Sequence, residues 1–276
     1  MSQGAANTLT FVSERQDGLL SWPLRSFYGS DIAAKLSPMR VDVVLTPSLL
    51  RPEQLNGRVV VVFDVLRATT TMAAALEAGV NEILIFPDIE SVRRAKPKYP
   101  AALSCGEQYC LKPEGFDLGN SPGELGAAQA GKTLLMSTTN GTKAVLAARG
   151  ADRTDVGALV NARAVAEMAR QSSKPLTLLC AGLKGSLAME DVIGAGAVIQ
   201  ALNEDVELES DEARMAEQLF LASRDRLGQV LRSTAGGQNI IRSNLEKDID
   251  FAARMDVIDS VGEVMDGDPI RIVRAE

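Results

Sequence analysis

The 276-residue chain contains no histidine. That excludes a Ser-His-Asp triad, a Cys-His pair, a phosphohistidine intermediate and a histidine-ligated zinc. Chemistry must come from carboxylates, hydroxyls, amides, guanidinium and ammonium groups, three thiols, or a hard cation held through oxygen. Cysteine is sparse and odd in number (Cys105, Cys110 and Cys180), which suits a reducing cytoplasm rather than a disulfide framework. Cys105 and Cys110 stand at C-x4-C spacing with no second Cys or His pair nearby, so neither zinc nor redox chemistry is expected there. No apolar run approaches the roughly eighteen residues of a membrane span, and the N-terminus has no basic-then-apolar signal pattern. Positive charge is also short: 29 Lys and Arg against 36 Asp and Glu leave a net charge of −7. Nucleic acid, which calls for a basic stripe, is therefore not an expected partner. A small anionic substrate is acceptable if basic residues and a cation are concentrated locally.

With 46% hydrophobic residues, the chain can bury an ordinary core as one large domain or two small ones. Residues 1–38 show weak periodicity and contain the sole tryptophan, Trp22, and they read as an extension that packs on the main body or on a partner subunit. On that ground a homodimer is expected. From Val41 the texture changes. Val41–Leu45, Arg58–Asp64 (RVVVVFD), Glu82–Pro87, Lys132–Ser137, Val156–Val160, Leu176–Cys180 and Ile270–Arg274 read as strands, several apolar enough to be buried on both faces of a parallel sheet. Between them lie helical stretches: Arg67–Ala78 before Gly79, Thr142–Ala148 before Gly150, a helix capped by Asn161, and runs at about 188–203, 211–232 and 237–255. The alternation predicts an α/β fold, a mostly parallel sheet with helices on both faces. Two α/β subdomains would divide near the acidic run at 205–210, although solvated charge explains that run better.

In such sheets ligands sit beyond the carboxyl ends of the strands, often at helix N-termini. Three strand ends carry suitable chemistry. The first is Asp64-Val65-Leu66-Arg67-Ala68-Thr69-Thr70-Thr71, with a carboxylate, a guanidinium and three hydroxyls at the opening of a helix. It reads as a phosphate or metal-phosphate site, or else as Asp64 and the threonines capping the helix. The second is Ser137-Thr138-Thr139-Asn140-Gly141-Thr142-Lys143, a hydroxyl-rich turn in which Gly141 permits close backbone approach, without Walker A spacing. The third runs from Cys180 through Lys184 to Glu190-Asp191. There Lys184 offers a mobile charge, and adjacent carboxylates open a helix where dipole complementarity alone would favour them. Ser121 to Glu124 fits a capping box with Pro122 at the first helical position, which gives both residues a structural role. Glu107 and Asp117 lie in glycine-rich, non-helical sequence, and that makes them the next metal-ligand candidates.

Six stretches, VDVVLTPSLL, VVVVFDVLRATTTMAAALEAGV, SCGEQYCLKPEGFDLGNSPGEL, STTNGTKAVL, LLCAGLKGSLAMEDVIGAG and STAGGQNIIRSNLEKDIDFAARMD, occur in unbroken order from about Val41 to the C-terminus. In these the chain resembles the 2-phosphosulfolactate phosphatase family of the coenzyme M pathway; residues 1–38 fall outside the likeness. The resemblance implies a Mg2+-dependent phosphatase that hydrolyses (2R)-2-phospho-3-sulfolactate to (2R)-3-sulfolactate and phosphate. Asp-x-Asp, the signature of haloacid dehalogenase phosphatases, is absent because Leu66 stands two beyond Asp64. A phosphoaspartyl route through Asp64 lacks its general acid, and attack by a metal-activated water is preferred. The expected assignment gives Asp64, Glu107 and Asp117 or Glu190 to Mg2+. Arg67 and Thr69, Thr70 and Thr71 would take phosphoryl oxygens. Ser137, Thr138, Thr139, Asn140, Gly141, Thr142 and Lys184 would hold sulfonate and carboxylate. Replacing Arg67 by alanine is expected to remove turnover more than fold. The competing readings are a phosphatase of this fold for another small phosphorylated acid, and a non-catalytic anion-binding protein.

Overall fold

Alternating apolar runs and glycine-terminated helices build a ten-stranded mixed sheet in the computed structural model, which describes residues 38–203 and 206–276. The extension expected over residues 1–38, Trp22 and the homodimer inferred from them lie outside the described residues, Pro38 apart. Pro38–Glu276 form one compact unit.

The chain begins with β1 (Met39–Val44) and β2 (Val59–Phe63), whose five residues are all buried, as their unbroken β-branched character requires. Next come α1 (Ala68–Glu77), ended by Gly79 at φ +85, then β3 (Glu82–Ile85), α2 (Ile89–Ala95) and β4 (Leu103–Gly106). The middle of the chain supplies β5 (Thr133–Ser137), α3 (Gly141–Ala147), β6 (Arg153–Gly157), α4 (Ala162–Ser172), β7 (Leu176–Cys180) and α5 (Met189–Leu202). The last third holds β8 (Val206–Leu208), α6 (Asp211–Ser223), α7 (Leu227–Ser233), α8 (Ala235–Arg242), α9 (Glu246–Ala252) and the hairpin of β9 (Gly262–Met265) and β10 (Ile270–Arg274).

The strand order is β4-β5-β3-β10-β9-β6-β2-β7-β1-β8. Two parallel blocks, β4-β5-β3 and β6-β2-β7-β1-β8, are joined by the antiparallel β9-β10 hairpin. This is the expected α/β class with a mostly parallel sheet. Three antiparallel pairings in succession reverse the sense of one block relative to the other. Yet Asn140 after β5 accepts the Lys184 N–H after β7, so carboxyl ends of both blocks converge.

The helices fill both faces. Val60 and Val62 of β2 pack with Ile83, Ile85, Leu134 and Met136 of the other block around Met72 of α1 and Val145 of α3. The opposite face of β2, Val59, Val61 and Phe63, packs on α4, α5 and α6 through Val165, Ile193 and Ala216. Each fully buried Val, Leu or Ile contributes roughly 1.5–3 kcal/mol of transfer free energy, so these two layers fix where the strand ends stand.

Several local expectations shift. The strand read at Val156–Val160 lies earlier, at β6, because Leu159–Asn161 turn into a 3-10 helix. Asn161 precedes α4 but does not cap it with its side chain; its Oδ1 accepts the Ala158 N–H. The helix read over 211–232 breaks at the 3-10 turn Arg224–Arg226, and the stretch 237–255 divides at Asn244, which sits at φ +57. At the subdomain division considered near 205–210, β8 pairs with β1.

Candidate active site

A cavity of about 390 Å3 opens where the ends of β2, β4, β5 and β7 meet α8, and Asp64, Arg67, Glu107, Asn140, Lys184 and Arg242 are among its lining residues. The β2 end supplies its floor. Asp64 Oδ1 accepts the Ala68 N–H at 3.2 Å, and Asp64 is 7% exposed. Burial pushes its carboxyl up to about 7; the Ala68 N–H opposes this, the charges of Glu107 and Glu190 add to it, and Arg67 opposes it. Gly141 is needed here because a β-carbon would lie 2.5 Å from Ala68 Cβ and 2.8 Å from Asp64 Oδ2.

Arg67 is almost fully buried and is fastened from three directions. Its Nη1 donates to Asp248 Oδ2 at 2.6 Å and to Ser121 Oγ at 3.1 Å, and its Nη2 donates to the Cys110 carbonyl at 2.6 Å. Ser121 Oγ in turn donates to Asp248 Oδ2 at 2.8 Å. The capping-box expectation is thereby corrected. Ser121 makes no side-chain cap, while Glu124 accepts the Gly119 N–H. Loop geometry has turned the Ser121 hydroxyl toward a buried ion pair.

The three threonines are also corrected. Thr69 Oγ1 accepts the Asp64 N–H, Thr70 Oγ1 donates to the Val65 carbonyl, and Thr71 Oγ1 donates to the Asn120 carbonyl. All three are buried and spend their hydroxyls on backbone groups, so they shape the turn rather than face phosphoryl oxygens.

The second turn divides. Ser137, Thr138 and Thr142 are buried, with Thr142 N–H donating to Thr138 Oγ1 and Thr142 Oγ1 to the Thr138 carbonyl. Thr139 and Asn140 reach the cavity wall. Glu107 accepts the Thr139 N–H through Oε1 and the Cys110 N–H through Oε2, so both oxygens brace loops. Asp117 does not line the cavity. Its Oδ2 takes the Ser104 N–H, the Ser104 hydroxyl and Lys96 Nζ on the surface side of β4, which removes it from the expected metal set.

At the third strand end, Asp191 accepts the Val65 N–H at 2.8 Å and the Gly182 N–H at 3.0 Å, tying two strand-end loops together. Its carboxyl is raised well above the ordinary range by burial, with the charges of Asp64 and Glu190 adding to it. Glu190 is buried, its carboxyl also raised first by burial, and its Oε2 has no hydrogen-bond partner. A β-carbon on cavity-lining Gly236 would meet Glu190 Oε1 at 1.8 Å, so glycine lets α8 close over this carboxylate. Lys184 and Arg242 are exposed at the cavity and, among the described residues, pair with no carboxylate. The thiols are poor nucleophiles: burial pushes Cys105 up to about 12 and Cys180 well above its usual value, and it raises Cys110 too.

Residues 44–267 match the profile of the family described as 2-phosphosulpholactate phosphatase. The chain belongs to the 2-phosphosulfolactate phosphatase family. It is 36% identical over 226 residues to a protein of Carboxydothermus hydrogenoformans named probable 2-phosphosulfolactate phosphatase, covering 82% of this chain and 93% of that one. A protein of Deinococcus radiodurans with the same name is 37% identical over 236 residues, 84% of this chain and 96% of its own. One of Thermus thermophilus is 40% identical over 221 residues, 79% of this chain and 90% of its own. The family is one of phosphoric monoester hydrolases, and among the described residues no helix is long and apolar enough to cross a membrane.

A 2-phosphosulfolactate phosphatase site must accommodate a polyanion, and the donor set can be tested against a magnesium ion. Among the described residues no three carboxylate or thiol side chains are gathered into a ready cage. Magnesium does not need one, because it keeps several waters and takes one or two carboxylates plus substrate oxygens. Asp64 with its raised carboxyl and Glu190 with its orphaned Oε2 fit that demand. Asp248, Ser121 and Asp191 were missed as site-builders, since each acts on a partner more than fifty residues away.

Proposed function

We propose that this chain is a Mg2+-dependent phosphatase that hydrolyses (2R)-2-phospho-3-sulfolactate to (2R)-3-sulfolactate and phosphate. Charge placement carries the reading. Buried Asp64 and Glu190, whose ionisation burial opposes, lie at and behind the floor of a cavity whose mouth bears the unpaired cations Lys184 and Arg242. Uncompensated buried carboxylates call for a cation, and unpaired cations at a mouth call for an anion. The substrate carries roughly four negative charges, of which the phosphate monoester supplies about 1.5 to 2.

Asp64 and Glu190 would hold Mg2+, which supplies neutralisation of phosphoryl charge and a water activated for attack at phosphorus. The chain's own groups do the positioning. Ala68 N–H fixes Asp64 Oδ1 and leaves Oδ2 on the side of Gly141. Arg67, held by Asp248, Ser121 and the Cys110 carbonyl, presents an oriented guanidinium at the phosphoryl position instead of a mobile charge. Asp191 keeps the β2 and β7 loops in register beneath it. Thr139, Asn140, Lys184 and Arg242 face the remaining carboxylate and sulfonate. A cytoplasmic enzyme acting in coenzyme M biosynthesis is the setting this reading implies.

The test is phosphate release from 2-phospho-3-sulfolactate beside phosphoglycolate and 2-phospholactate, each with and without EDTA. The reading expects the sulfonated substrate to be preferred and EDTA to stop turnover. Preference for an unsulfonated acid would move the chain to another substrate of the same reaction, and no release from any of them would favour a non-catalytic anion binder.

A further inference from the structure

Of the cationic side chains lining the cavity, Arg67 is already neutralised by Asp248, which leaves Lys184 and Arg242. Two unpaired cations therefore face the two anionic groups that remain once the phosphate is placed. They are unlike in chemistry and in position. Lys184 lies on the loop after β7, with its backbone N–H on Asn140 Oδ1, next to the Gly141 turn that touches Asp64. Arg242 is the last residue of α8, whose Gly236 abuts Glu190. Arg242 follows Gly236 by six helical steps, so at 1.5 Å per residue its backbone stands about 9 Å along α8 from the glycine that abuts Glu190. Its Nη2 donates to Asn239 Oδ1 at 2.6 Å, which steers the guanidinium and leaves the Asn239 amide N–H groups as further donors at the same wall.

We infer that Arg242, oriented by Asn239, is the specificity determinant that reads the sulfonate arm of the substrate, while Lys184 takes the carboxylate. This rests on the substrate reading given above. The carboxylate is bonded directly to the carbon bearing the phosphate ester, whereas the sulfonate is one carbon further out, so the two arms reach different parts of the wall and the chemistry of the two cations assigns them. A guanidinium is planar, weakly hydrated and permanently charged, and it matches a weakly hydrated, permanently ionised sulfonate better than a compact ammonium does. The forked donors of Arg242 and the amide of Asn239 suit three sulfonate oxygens; a carboxylate offers two.

The experiment compares kcat/KM of the wild-type enzyme, Arg242→Gln and Lys184→Gln on 2-phospho-3-sulfolactate and on 2-phospholactate, where a hydrogen replaces the sulfonate. Arg242 is exposed, so circular dichroism of Arg242→Gln should match wild type. Losing a charge-assisted contact should lower kcat/KM of Arg242→Gln on the sulfonated substrate by roughly 10- to 100-fold. On 2-phospholactate the same variant should fall by no more than about 3-fold, and Lys184→Gln should lose on both substrates. Arg242→Lys should recover part of the loss. Equal losses on both substrates in Arg242→Gln, or none on the sulfonated one, overturn the inference while leaving the phosphatase reading intact. A wild-type enzyme inactive on the sulfonated substrate overturns that reading, and the inference falls with it.

Discussion

Removing the carboxylate of Asp248 should damage the fold as well as the chemistry. Arg67 and Asp248 are 3% and 5% exposed, and their ion pair closes at 2.6 Å. In Asp248→Ala the guanidinium stays buried with only Ser121 Oγ and the Cys110 carbonyl as partners. Breaking a buried pair costs about 3–5 kcal/mol, and those two acceptors place this case near about 3 kcal/mol. For a chain of this size that is a fall in melting temperature of about 6–12 °C. Urea unfolding followed by far-ultraviolet circular dichroism reads it directly. The exposed pair between Lys174 and Asp152 supplies the contrast, and Lys174→Ala should cost about 1 kcal/mol or less. The double variant Arg67→Met, Asp248→Leu leaves no orphaned charge and should be more stable than Asp248→Ala while remaining inactive. Asp248→Ala with a wild-type midpoint, or a double variant less stable than the single, would refute the reasoning. On sequence grounds Arg67→Ala is expected to lose turnover far more than fold; because Arg67 ties three chain segments together, its loss should reach stability as well as turnover.

Two further outcomes follow from close packing and from burial. Gly236→Ala puts a methyl group where Glu190 Oε1 now lies, so the carboxylate must move; the Mg2+ concentration giving half-maximal activity should rise several-fold, and an unchanged value would contradict a metal role for Glu190. Asp155 in β6 is pushed up from 3.8 to about 6 by burial, against the opposing charge of Arg153. Its folded-state value exceeds the unfolded one, so the folded chain binds the extra proton and this residue's contribution to stability falls as pH rises from about 4 through about 6. The stability of wild type relative to Asp155→Asn should decline by about 2 kcal/mol over that interval, and a flat difference in urea midpoints would refute the assignment.

Much of the architecture was legible because single segments carried it. RVVVVFD has no polar face, so only a doubly covered strand suits it, and Gly79 marks the end of α1 by a left-handed φ that other residues avoid. The short strands β8 and β9 gave no such signal: three or four residues of mixed polarity become strands by pairing with β1 in the one case and with β10 and β6 in the other. In the site, Asp64, Arg67, Asn140 and Lys184 were recognisable from their places at strand ends and Glu107 from its glycine-rich, non-helical surroundings, and all five share one cavity. Side-chain direction was not recognisable. Thr69, Thr70 and Thr71 turn inward because Asp64, Val65 and Asn120 present backbone groups that burial leaves to be satisfied. Ser121 and Asp248 are 127 residues apart, and no local pattern links them before the chain folds.

Metal dependence through Asp64 is the most direct test of the proposed phosphatase. Phosphate release from 2-phospho-3-sulfolactate should be measured for the wild-type enzyme and Asp64→Asn, after chelation and again on adding back Mg2+, with Mg2+ binding followed by calorimetry. Wild-type turnover should vanish on chelation and return with Mg2+, while Asp64→Asn should bind Mg2+ weakly and stay inactive. Full turnover in EDTA, or an Asp64→Asn variant that binds Mg2+ and turns over like wild type, would contradict the central claim.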